Sequence, residues 1–173
     1  MGLTRVNNQA LPTLDSDKLP SGTVLQVKST TKTDTWTFSG TSTEWSGDVT
    51  GLTVSITPKS TNSKILVMVD STVSTNNNSY PSLFQCRLLR GGTQIVGAFG
   101  SVSSVGSSSN NVSGSGVLAG SYLDSPSTTS AITYSIQLRQ RITSSADVTV
   151  RVNESQGGDD RGSAHITVME IAG

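Results

Sequence analysis

The chain has 173 residues, twelve cationic and twelve anionic side chains, and therefore no net charge; only 14% of its residues are charged, well below the usual quarter. Without a basic excess, nucleic-acid binding, which needs a basic face, is not expected, and a single cysteine excludes an internal disulfide framework. Ser and Thr make up about three residues in ten, and with plentiful Val and Ile this suits strands with hydroxyl-rich outer faces rather than a disordered chain.

Residues 1–20 stand apart. The stretch LTRVNNQALPTLDSDKLP carries Pro12 and Pro20 and fits neither helix nor strand period. It predicts an extended arm whose apolar points, Leu3, Val6, Leu11, Leu14 and Leu19, dock on a partner, the alternative being a disordered terminus. The first ten residues lack the apolar run of a secretion signal, and Val6 stands where an acylation signal requires Ser or Thr. No apolar run is long enough to span a bilayer, so membrane insertion is not expected.

From Gly22 onward the pattern is strand upon strand. TVLQVK is short and β-rich, and TDTWTFSG alternates around Trp36 and Phe38. GLTVSITP sets Leu52, Val54 and Ile56 against Thr53, Ser55 and Thr57, and Pro58 with KSTNS closes it in a turn. SKILVMVDSTV is different. Ile65, Val67 and Val69 share one face while Leu66 and Met68 take the other, so both faces are apolar. FQCRLLRGGTQIVGAF reads as a hairpin turning at Gly91-Gly92, which supply positive φ. Ser101–Gly116 is Ser-, Gly- and Asn-rich and predicts mostly loop. VLAGSYL predicts a further strand. AITYSIQLRQRI places Ile132, Tyr134, Ile136, Leu138 and Ile142 opposite Thr133, Ser135, Gln137, Arg139 and Arg141. ADVTVRVN points Val148, Val150 and Val152 inward. The closing AHITVMEIAG again has two apolar faces, Ile166 with Val168 and Met169 with Ile171.

With no helical period, the expected fold is all-β, an antiparallel β-sandwich of jelly-roll form over residues 21–173, preceded by the arm of residues 1–20. A two-layer sandwich covers one face of each sheet. Leu66, Met68, Met169 and Ile171 are therefore expected to meet other copies of the chain, with three copies favoured for a jelly roll; the alternative is that a loop of the same chain folds over them.

The chain is poor in catalytic groups. His165 is the one histidine, so a paired-His metal site cannot form. A triad of His165 with Glu170 or Asp160 lacks a G-x-S-x-G elbow for its serine. Cys86 lies in a strand pattern and reads as a buried, inert thiol. No enzymatic role and no cofactor are expected. Glu154, Asp159 and Asp160 share a Gly-containing loop and are weak calcium candidates, without EF-hand spacing. Trp36 reads as core. Trp45 sits in a looser setting and is the surface candidate for stacking on a sugar. Arg87, Arg90, Arg139, Arg141 and Arg151 lie on polar strand faces, and Trp45, Arg139 and Arg141 are the candidate contacts for a host-surface glycan. The N-x-S sequences at Asn77, Asn111 and Asn153 are expected by chance in so Asn- and Ser-rich a chain.

Two runs, LTRVNNQALPTLDSDKLPSGTVLQV and GLTVSITPKSTNSKILVMV, with the LLRGGTQIVG hairpin and the closing HITVMEIAG, resemble small virion proteins of tailed bacteriophages, especially marine ones. They are also similar to the tumour-necrosis-factor-like jelly roll. The resemblance implies a trimeric fibre or head-surface component, anchored to capsid or tail proteins by its N-terminal segment and made in the host cytoplasm. It implies no catalytic residues. A capsid decoration or head-fibre protein of mainly structural role is the alternative, and a glycan-binding or glycan-active jelly roll a more distant one.

Overall fold

The computed structural model describes residues 19–41, 44–77, 82–104, 112–141, 147–154 and 162–173. Ten strands run in chain order: β1 (Val24–Lys32), β2 (Trp36–Thr41), β3 (Thr53–Ile56), β4 (Lys64–Asn77), β5 (Ser82–Arg90), β6 (Thr93–Ser104), β7 (Val112–Asp124), β8 (Ile132–Arg141), β9 (Asp147–Val152) and β10 (Ala164–Ile171). They form two antiparallel sheets, and among the described residues there is no helix. The first sheet has the order β1-β10-β4-β9-β2, with β7 also paired to β4; the second has the order β3-β8-β5-β6. The long β4 explains the first order. One of its edges pairs with β7 along its length, while the other pairs with β10 near Leu66 and with β9 near Ser74. The result is the expected jelly-roll sandwich.

Alternation sorts the side chains as the strand period requires. Ile65, Val67 and Val69 of β4, Ile166 and Val168 of β10, and Val150 and Val152 of β9 are buried against Val54, Ile56, Phe84, Cys86, Leu88, Ile136 and Leu138 of the second sheet. Cys86 is fully buried, and burial pushes its thiol pKa far up, which leaves it inert. Trp36 packs on this core with its ring stacked on Phe38, centroids 6.4 Å apart. Both glycines of the β5–β6 turn have positive φ, 56° at Gly91 and 79° at Gly92, as a tight hairpin demands.

The structure corrects one expectation here. Much of Ser101–Gly116 is strand, since β6 continues to Ser104 and β7 begins at Val112; residues 105–111 lie outside the described residues. The ladders decide this. Ser104 pairs with Ser82, and Val112 with Asn77. A backbone ladder makes no demand for apolar side chains, so the serines and glycines hid it. Further along, β6 and β7 close one side of the sandwich by direct approach. A Cβ on Gly120 would stand 2.3 Å from the Phe99 carbonyl oxygen, a contact only glycine permits.

Polar clasps join the two sheets. Asp124, at the end of β7, accepts from Arg90 Nη1 at 3.0 and 2.9 Å and from the Tyr134 hydroxyl at 2.7 Å. Tyr134 is wholly buried, and burial together with the Asp124 carboxylate pushes its hydroxyl pKa far up. Thr75 of β4 donates to Gln140 Oε1 of β8 at 2.5 Å, also inside.

Glu170 of β10 is buried on the inner face. Its Oε1 accepts from the Lys59 amide at 2.6 Å and its Oε2 from Gln26 Nε2 at 2.5 Å. Burial works to raise its pKa, but these donors outweigh it and hold the carboxyl below the ordinary glutamate value. A lowered folded-state pKa gives stability that is present at neutral pH and lost as the pH falls through that value. The melting temperature is therefore expected to drop as the pH falls below about 4.3, the usual glutamate value. Glu170→Gln should flatten that acid limb while melting lower than the parent at pH 7. An acid limb of unchanged slope in a pH series of melting curves would contradict this.

Candidate functional site

Two surfaces stand out, one on each sheet. On the outer face of the first sheet, Val27, Met169, Leu66 and Leu123 lie directly opposite one another across β1, β10, β4 and β7. Val27 is 50% exposed and Leu123 47%, and Leu66 and Met169 are half-buried. Met68 stands in the adjacent row, between Thr167 and Ser121. Ile171 stands on the other side of the main row, opposite the exposed Val24. The fold thus brings Leu66, Met68, Met169 and Ile171 onto one face. Sequence reasoning missed Val24, Val27 and Leu123, whose strands look like ordinary half-polar ones until the register aligns them.

The second surface lies on the outer face of the second sheet, across β5 and β8. The segment before β3 is fastened to β8: Ser46 N donates to the Leu138 carbonyl at 2.8 Å, the Leu138 amide donates to Ser46 Oγ at 3.0 Å, and Val49 N donates to the Ile136 carbonyl at 3.0 Å. This carries Trp45 over the sheet. The guanidinium carbons of Arg87 and Arg139 stand 4.6 and 4.3 Å from its ring centroid, within cation–π range. Arg87 Nε and Nη2 both donate to Gln137 Oε1, the first at 2.8 Å, and its Nη1 donates to Gln94 Oε1 at 3.3 Å. Arg139 Nε donates to Gln85 Oε1 at 2.9 Å. Arg141 lies two residues further along β8, exposed. Desolvation first, then Arg141 and Arg87, lower the pKa of Arg139.

The Trp45 ring, the candidate for stacking on a sugar, is thus already in contact with side chains of the protein itself. The ring is engaged by two cations, because the negative face of an indole attracts guanidinium. The five-arginine patch also divides. Arg90 turns to Asp124, and Arg151, on β9 of the other sheet, stands 3.6 Å from Glu154. Arg87, Arg139 and Arg141 remain together.

The other candidates are placed as follows. Glu154 faces Arg151; Asp159 and Asp160 lie outside the described residues, and among the described residues no three His, Cys, Asp or Glu cluster as metal ligands. His165 contacts the hydroxyls of Thr31 and Ser163, each at 3.0 Å, and lies on the face of β10 opposite to Glu170, so those two cannot form a catalytic pair. Asn153 is buried, donating Nδ2 to the Lys32 carbonyl at 2.8 Å, which removes it as a glycosylation acceptor. Leu19 is half-buried and lines a pocket of about 200 Å³ with Leu25, Ala172 and Gly173. It packs on the sandwich itself. Leu3, Val6, Leu11 and Leu14 lie outside the described residues.

Neither a protein-family profile nor a curated protein matches the sequence. Among solved structures, the chain is similar to a protein in the structure of infectious bursal disease virus, Gx strain, at 10% identity and a TM-score of 0.39, over 88% of this chain and 39% of that one. It is similar to one in the T=1 particles derived from infectious bursal virus at 12% identity and a TM-score of 0.41, over 99% and 41%. The chain spans about two fifths of the length of these proteins. Scores this low mark a partial likeness of shape and do not bear on function.

Proposed function

We propose that the chain is a non-enzymatic structural protein of a tailed-bacteriophage particle. In this reading residues 21–173 form a homotrimeric knob, residues 1–20 hold it to capsid or tail proteins, and the knob contacts the host surface. The observation that carries the reading is the apolar row Val27–Met169–Leu66–Leu123, flanked by Met68, Ile171 and Val24. Covering a half-exposed side chain of this size is worth about 1 kcal/mol at ~25 cal/mol per Å², so such a face favours association of like copies. The resemblance of the arm and of the SKILVMV run to phage virion proteins supplies the particle, and the resemblance to the tumour-necrosis-factor-like jelly roll supplies the number three.

The arm gives the test. Deleting residues 2–18 spares Leu19 and every described strand. The truncated chain is expected to fold and associate like the parent, yet to be missing from purified particles. Its incorporation at the parent's level would overturn the anchoring role.

A further inference from the structure

We propose that the surface formed by Arg87, Arg139 and Arg141 around Trp45 binds acidic polysaccharide, its sulfate or carboxylate groups received by the outward guanidinium edges. This would give the knob a host-surface ligand, but the chemistry rests on this face alone and does not require the virion reading.

The argument begins from charge. In a chain of zero net charge, three guanidiniums sit on two neighbouring strands, and among the described residues none of them has a carboxylate within ion-pair distance. Asp48 joins the network through Gln137, whose Nε2 donates to it at 2.7 Å. The fold thus holds like charges together, which is unfavourable in the free protein. It does so with neutral partners: the Trp45 ring and the carbonyls of Gln85, Gln94 and Gln137. These partners orient the cations without neutralising them. Arg139 gives its Nε to Gln85, which leaves its two Nη groups to form the fork that matches a carboxylate or sulfate. The side-chain amides of Gln85, beside Arg139, and of Gln94, beside Arg87, can donate to sugar hydroxyls.

The size of the patch selects the polymer. Arg87 lies opposite Gln137, two residues from Arg139 and four from Arg141, so at about 3.4 Å per residue and about 4.8 Å between strands the three positions span roughly 14 Å of sheet. Nucleic acid presents a continuous run of phosphates and needs an extended basic track. Acidic polysaccharide presents single anionic groups separated by neutral, hydroxyl-rich rings, and a small guanidinium cluster edged with amides fits that spacing.

Binding of the full chain is measured against immobilised dextran sulfate, polygalacturonate, uncharged dextran and duplex DNA. The wild type is expected to bind at least one of the two acidic polymers and not dextran, and the tighter of the two identifies the acid group. Arg139→Gln with Arg141→Gln should weaken binding by about tenfold or more, since charge-assisted hydrogen bonds are lost. Trp45→Ala should weaken it as well, by releasing the guanidiniums. Lys28→Gln with Lys59→Gln removes the same charge at exposed positions outside β5 and β8 and should leave binding within about twofold. Melting curves check that each variant is folded. Failure of both acidic polymers to bind, equal losses in the lysine and arginine pairs, or equally tight binding of duplex DNA would each overturn the proposal. None of these results would alter the test of the arm.

Discussion

Leu66→Asp is expected to convert the associated protein into a folded single chain. Leu66 lies on the outer face between Met169 and Leu123, while its neighbours Ile65 and Val67 stay wholly buried in the core. The substitution therefore leaves the sandwich intact and places a carboxylate in the middle of the apolar row. Burying an unpaired charge costs several kcal/mol, and in a symmetric assembly that cost recurs at every copy of the interface. Light scattering should read the mass of one chain, with the strand signature in circular dichroism retained. Thr53→Asp, at an exposed position of the second sheet, should leave the associated mass unchanged. A Leu66→Asp protein that keeps the associated mass would remove this face from the interface.

The second large effect lies inside the sandwich. Asp124→Ala should lower stability by about 3 kcal/mol, because it leaves Tyr134 and Arg90 without their shared acceptor. The Tyr134 hydroxyl is fully buried, so no water replaces the lost carboxylate. For a chain of this length the melting temperature should fall by roughly 10 °C. Asp124→Asn keeps an acceptor oxygen for Tyr134 and should recover part of the loss. Equal losses for Ala and Asn in thermal or denaturant unfolding would mean that the ion pair to Arg90, and not the inter-sheet hydrogen bond, carries the effect.

How much of this was legible in the sequence follows from what each feature depends on. The β class, the glycine turn at Gly91-Gly92 and the inward set of Val54, Ile136, Val150 and Ile166 were readable, since a period of two survives in any single strand. Leu66 and Met169 were readable as surplus apolar residues for the same reason. Val27 and Leu123 were not, because each gains meaning only from the ladder that sets it beside them. The extent of β6 and β7 was hidden, since serine and glycine pair through their backbone as well as valine does. The buried polar groups Glu170, Gln140 and Asp124 stand in strands where alternation assigns a face but not a partner. Trp45 was rightly marked as unusual, yet its engagement with Arg87 and Arg139 depends on Ser46 and Val49 bonding to β8, a contact about ninety residues away in the chain.

The direct test is the mass of the unmodified protein in dilute solution by sedimentation velocity or light scattering. A sheet face with more apolar surface than one chain can hide predicts association held down to low micromolar concentration, and the proposed trimer sets the mass at three times the 18.0 kDa of a single chain. A stable species of 18.0 kDa, melting cooperatively and showing no association as concentration rises, would contradict it.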